Sequence, residues 1–179
     1  MKKLIKAALF IYVLFISSVY AQNSFSIGLV GTRFENIGDG QKLTEIEVPF
    51  GYGIILGYNI NKDFTVAFTG EYFKDDLKNN LGDETDLRTH LSAYFTPFDT
   101  NVIRPYFSSG IVYTYRNYNY RLNGIEETKN IFDARFGAGV DYNIIQNVYL
   151  NFDAGIYSDG LNIVGWSSSV GLRISPRFF

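Results

Sequence analysis

A chain of 179 residues is one domain in size, and this one leans apolar and aromatic: 46% hydrophobic, 17% aromatic, with 17 glycines and only four prolines. Having no cysteine, it lacks disulfides, thiol catalysis and thiolate metal sites. A formal net charge of −2 excludes the basic footprint that a nucleic-acid partner requires.

The first 21 residues read as a cleavable export signal. Lys2, Lys3 and Lys6 form a basic start, Ala7 to Ile16 an apolar run, and Val19-Tyr20-Ala21 a small-residue cleavage site. The run is short for a retained membrane helix, and no cysteine follows it to carry a lipid anchor. Removal of 1–21 would leave a single domain, 22–179, with 13 basic residues against 18 acidic ones.

Eight strands are predicted in order. Strand 1, about 24–34, alternates Phe25, Ile27 and Leu29 with Ser26, Gly28 and Thr32; a polar connection, about 35–47, follows. Strand 2, about 48–58, sets Val48, Phe50, Tyr52, Ile54, Leu56 and Tyr58 against Pro49, Gly51, Gly53 and Gly57. Successive side chains of a strand point to opposite faces, so one face here is bulky and the other nearly bare. After a turn at Asn59–Lys62, strand 3, about 63–74, alternates Phe64, Val66, Phe68 and Tyr72 with Thr65, Ala67, Thr69 and Glu71. A charged connection, about 75–84, leads to strand 4, about 85–96, with Leu87, Leu91, Ala93 and Phe95 opposite Asp86, Arg88, His90 and Ser92.

Pro97 to Asn101 turns the chain into strand 5, about 104–118, with Phe107, Ile111, Tyr113 and Tyr115 opposite Ser108, Gly110, Thr114 and Arg116. A connection at 119–127 precedes strand 6, about 128–142. There Phe132, Ala134, Phe136, Ala138, Val140 and Tyr142 face away from Asp133, Arg135, Gly137, Gly139 and Asp141. Strand 7, about 148–158, sets Val148, Leu150, Phe152, Ala154 and Ile156 against Asn151, Asp153 and Gly155. Strand 8, about 165–175, sets Trp166, Val170, Leu172 and Ile174 against Ser167, Ser169, Gly171 and Arg173. Each strand is long enough to cross a bilayer at a tilt, which takes about 9–11 residues. Four longer polar connections alternate with three short turns, the asymmetry of a barrel with loops outside and turns in the periplasm.

The expected fold is therefore all-β, an eight-stranded antiparallel up-and-down transmembrane β-barrel. A soluble barrel with the greasy face inward is the rival. An eight-stranded lumen is only just wide enough for side chains to fill, and the bulky set exceeds it. The charges agree: Glu71, Asp86, Arg88, Arg116, Asp133, Arg135, Asp141, Asp153 and Arg173 all fall in the glycine-rich phase. Enclosed together with His90, these acids and arginines are expected to pair and plug the lumen, since an isolated buried charge is very costly. Tyr58, Phe64, Phe95, Phe98, Tyr142 and Tyr149 are expected as a lower aromatic belt. Tyr72, Phe73, Tyr113, Tyr115, Tyr157 and Trp166 are expected as an upper one.

With the signal, the eight alternating strands and the ending Val170-Gly-Leu-Arg-Ile-Ser-Pro-Arg-Phe-Phe179 in place, the chain resembles the small outer-membrane β-barrel proteins of Gram-negative bacteria, of OmpX/OmpA-like type. The resemblance spans 22–179. It implies an integral outer-membrane location, contact with outer-membrane lipid and lipopolysaccharide, and recognition of the C-terminal strand, through Phe178 or Phe179, by the barrel-assembly machinery. Phe178 shares the phase of Val170, Leu172 and Ile174, whereas Phe179 does not.

Little in the chain reads as catalytic. His90-Leu91-Ser92 resembles the His-x-Ser of outer-membrane lipid A deacylases, but Ala93 stands where that family carries Asn, and His90 is the only histidine. No phosphate-binding loop or metal-ligand cluster is present, so no cofactor is expected; Asp75-Asp76 and Asp83-Glu84 read as solvated loop acids. A solute channel is the other alternative class. Function is expected instead in the outer loops. Tyr115, Arg116, Tyr118, Tyr120 and Arg121 mark a ribbon suited to contacting an extracellular protein or other surface ligand.

Overall fold

A computed structural model describes residues 24–37, 49–77, 81–98, 100, 102–121 and 124–175. The segment 1–21 and the residues Phe178 and Phe179 lie outside them. The strands are β1 Ser24–Asn36, β2 Phe50–Asn59, β3 Phe64–Asp76, β4 Gly82–Phe95, β5 Ile103–Tyr120, β6 Ile125–Ile145, β7 Val148–Asp159 and β8 Asn162–Ile174. All neighbours are antiparallel, and β1 pairs with β8 to close the sheet into a barrel. Closure leaves no edge through the closed part of the wall, which a sheet in hydrocarbon requires.

The period-2 pattern decides which face turns out. On β4, Leu87, Leu91, Ala93 and Phe95 are exposed while Asp86, Arg88, His90 and Ser92 are buried. On β1, Phe25, Ile27 and Leu29 are exposed and Ser26, Val30 and Thr32 are buried. Leu29 is 65% exposed and Arg88 3%. An arrangement that offers leucine to the surroundings and encloses arginine is stable only where the surroundings are acyl chains.

The lumen is not purely polar. Phe34, Phe73, Val112 and Tyr157 form one buried apolar cluster, and Val30, Ile55 and Ala67 another. Phe73, Tyr149 and Tyr157 thus stand inside the barrel, not in the aromatic belts expected of them. The reason is phase: Phe73 follows Glu71 by two residues, and Tyr149 and Tyr157 share the parity of Asn151 and Asp153. Glycine makes the room. A Cβ on Gly51 would lie 2.5 Å from the Phe73 ring, so the bare face of β2 is the socket for a ring from β3.

The connections also differ from expectation. At the end of the barrel that carries the long connection 37–49, three of the four expected polar loops are mostly strand. β5 and β6 run on to the pair Tyr120–Ile125, β3 and β4 to Asp76–Asp83, and β7 and β8 to Asp159–Asn162. Backbone ladders are indifferent to side-chain polarity, and a hairpin in water can carry polar residues on both faces. At the other end the links are tight, as at Ile145–Val148, where Asn147 takes a positive φ of 66°. The end with the long connection is the upper, outer rim.

Candidate functional site

The lumen is filled in layers by side chains from all eight strands. In the upper layer Asp86 of β4 is the hub. Arg116 of β5 grips it through Nε and Nη2, both at 2.7 Å, and Arg88 donates to it at 2.9 Å. Glu84 reaches the same Arg116 Nε at 3.0 Å. The Arg88 guanidinium carbon lies over Phe34, 3.5 Å from the ring centroid, with Phe73 at 4.6 Å. The planar fork thus uses its edge on a carboxylate and its face on rings, two things lysine cannot do together.

The middle layer holds Glu71, to which Thr32 donates, with His90 Nε2 2.9 Å from the other carboxylate oxygen. Across the lumen Arg135 binds Asp153 and donates to Ser108 at 3.0 Å. Tyr106 donates to Asp153 at 3.1 Å. Gly155 lets Arg135 through: a Cβ there would come within 2.7 Å of the guanidinium carbon. In the lower layer Arg173 pairs with Asp141, and Asn151 donates to Asp141 at 2.7 Å and to Tyr106 at 2.9 Å. Below these, Asn59 links Ser24, Thr65 and Ser175.

Most of the charges picked out by phase meet here, with one exception. Asp133 faces a cavity of about 220 Å³ at the upper mouth, and its Oδ1 has no hydrogen-bond partner among the described residues. Three charged residues were misplaced or missed from sequence, the first being Asp75, which is buried on β3 and is no solvated loop acid. Glu84 is part of β4, not of a loop, and Arg104 is buried with its guanidinium 5.5 Å from the Tyr149 ring. Parity would have found both, since Glu84 is two residues from Asp86 and Arg104 four from Ser108. Between the layers lies a cavity of about 30 Å³, room for a water molecule or two.

His90 and Ser92 are both buried in this interior. The ring of His90 is turned to Glu71 and stands edge-on to Tyr157, and neither residue meets the lipid-facing surface from which an acyl ester would come. Of the surface set, Tyr115 is exposed and Tyr120 half-buried, whereas Arg116 and Tyr118 turn into the barrel mouth. Arg121, at the tip, donates to Asp83 at 2.8 Å and to Asp76 at 3.4 Å.

A closed antiparallel barrel, apolar outside and ion-paired within, defines an integral β-barrel membrane protein. The sequence matches the model of the family described as outer membrane protein beta-barrel domain over residues 7–178. The chain belongs to that family and is an integral protein of the Gram-negative outer membrane. Its fold is similar to that of the N-terminal β-barrel domain of Pseudomonas aeruginosa OprF, with a TM-score of 0.59 at 17% identity over 83% of this chain and 95% of that one. Neisserial surface protein A is similar at 0.60 and 18% over 86% and 98%. Ail, the attachment invasion locus protein of Yersinia pestis, solved with the heparin analogue sucrose octasulfate, is similar at 0.56 and 18% over 84% and 97%. No match was found among curated protein sequences.

Proposed function

We propose that the protein is a non-enzymatic surface-interaction barrel, and that its contact element is the β5–β6 hairpin. The observation that carries this reading is a free strand edge. The β6–β7 ladder stops at Ala134–Ser158, yet β6 starts at Ile125 and stays paired to β5 throughout. Residues 126–130 are exposed, on a strand whose second edge has no ladder partner among the described residues. An unpaired edge is a template on which an extended segment of another protein adds a strand, with main-chain hydrogen bonds for affinity and side chains for selectivity.

The hairpin is held upright for this work. Tyr113 donates to Asn130 at 2.7 Å, Lys129 pairs with Glu127 at 3.2 Å, and the Lys129 ammonium lies 5.1 Å from the Tyr118 ring. With Arg121 neutralised by Asp83, its exposed charges Glu126, Glu127 and Lys129 leave a slight negative excess, which favours a polypeptide over a polyanion such as the one bound by Ail. Replacing residues 119–126 with a short Gly/Ser turn leaves Arg116 and the lumen intact. The expected outcome is a barrel that folds normally and no longer binds expressing cells to immobilised extracellular protein. Unchanged binding would refute the reading.

A further inference from the structure

The cavity at the upper mouth of the lumen, which Asp133 faces, is not part of the ion-paired layers. It encloses about 220 Å³, several times the roughly 30 Å³ that one water molecule takes up in the liquid. Much of its wall is apolar: Phe34 of β1, Ile131 of β6, and Tyr157 and Val164 from β7 and β8. The rings of Phe34 and Tyr157 meet edge to face, with centroids 4.9 Å apart. Apolar walls with a few placed polar groups are what a small-molecule site presents.

The polar groups of this cavity have opposite signs at its two ends. Arg88 lines the buried end. Its Nη2 is taken by Asp86, but its Nε has no hydrogen-bond partner among the described residues. Asp133, half-buried, and Asp159, exposed, line the open end. They stand one residue beyond Ala134–Ser158, the last pair of the β6–β7 ladder, where the two strands part. Asp133 Oδ1, like Arg88 Nε, is enclosed and unmatched. Charge is lopsided in the same sense. Arg88 and Arg116 face Asp86 and Glu84, which leaves the carboxylates of Asp133 and Asp159 in excess around the cavity. A buried donor without an acceptor and a carboxylate without a donor are both costly until something supplies the missing partner.

We propose that this cavity binds a small zwitterion with an apolar side chain, of the free amino acid and dipeptide class. Its ammonium group lies between Asp133 and Asp159, its carboxylate accepts from Arg88 Nε, and its side chain rests on Phe34, Ile131 and Val164. An amine without a carboxylate would leave the Arg88 donor unmatched. An acid without an amine would meet the carboxylates of the open end. The cavity is separate from the contact edge of the β5–β6 hairpin, because none of residues 119–126 lines it.

The test uses the refolded full-length barrel in phospholipid nanodiscs, dialysed to equilibrium against radiolabelled L-leucine and L-leucyl-L-leucine. Saturable retention of at least one of these probes is expected. Unlabelled isocaproate, which lacks the amine, and isoamylamine, which lacks the carboxylate, should each compete about ten-fold more weakly than leucine. Glycine, which lacks the side chain, should do no better. Asp133→Asn should weaken retention about ten-fold, and the more exposed Asp159→Asn about three-fold. Val164→Trp should abolish it by filling the cavity. Asp63→Asn, in the lower turn between β2 and β3, should leave it unchanged, and so should the Gly/Ser replacement of 119–126 that removes protein binding. Heat-modifiable gel mobility verifies that each variant is folded before it is measured. Retention of neither probe, competition by isocaproate or isoamylamine as strong as by leucine, or indifference to both Asp133→Asn and Val164→Trp would overturn the proposal. So would an equal loss in Asp63→Asn, or a loss in the hairpin replacement, which would move the ligand out of the cavity.

Discussion

Asp86 is buried and accepts hydrogen bonds from two arginines, and each of its oxygens is used. Taking out its charge strips Arg88 of its ion pair with Asp86 and leaves Arg116 with Glu84 alone. Removing one partner of a buried ion pair costs about 3–5 kcal/mol, so Asp86→Asn is expected to lower the unfolding free energy of the refolded barrel by that order. Urea titration in lipid vesicles measures it, and a loss below 1 kcal/mol would show that water reaches the layer. The pairing partners themselves were not legible in the sequence. Parity places Asp86, Arg88 and Arg116 in one interior, but which carboxylate meets which guanidinium depends on register across different strands. Parity also reads Tyr149 and Tyr157 correctly when applied strictly. The belt assignment failed because it weighed their aromatic character above their phase, and the glycines opposite offered space that composition alone does not locate.

At the scale of the strand, alternation gave the faces of all eight elements almost unchanged, because a one-residue slip would expose every charge to lipid. The loops were less legible. Polar residues such as Asn119, Glu126 and Glu127 read as connection, yet they pair in register as a hairpin above the membrane. Strand pairing there is a property of the turn and the neighbouring ladder, which no local pattern announces. Two tests belong to this scale. Leu91→Arg, on the exposed face of β4, is expected to cost about 2–4 kcal/mol if it lies at mid-bilayer. Unfolding in vesicles reads that cost, and an unchanged midpoint would contradict the lipid-facing assignment. Shortening the β5–β6 hairpin, by contrast, should change unfolding little, because what 119–126 give up on the β4 side is the last rim pairs and the exposed Arg121 ion pairs, worth about 0–1 kcal/mol.

For the molecule as a whole, the proposed non-channel role requires that the three stacked polar layers and the inner rings block the lumen they fill. Planar bilayers containing the barrel are therefore expected to show no steady openings; stable conductance steps would mean that the layers part. Lipid A isolated with and without expression of the protein is expected to have the same mass spectrum, since His90 and Ser92 are enclosed. A loss of one acyl mass would contradict a non-enzymatic role. The claim on which all of this rests is the direction in which each strand presents its two faces. The chain has no cysteine, so single cysteines carrying a fluorophore report one position each. Labels at 86, 87, 88, 90, 91, 92, 93 and 95 of β4, in vesicles with a lipid-borne quencher, test it most directly. Strong quenching at 87, 91, 93 and 95 with little at 86, 88, 90 and 92 is the result this structure requires. Equal quenching at both sets, or the reverse order, would contradict it.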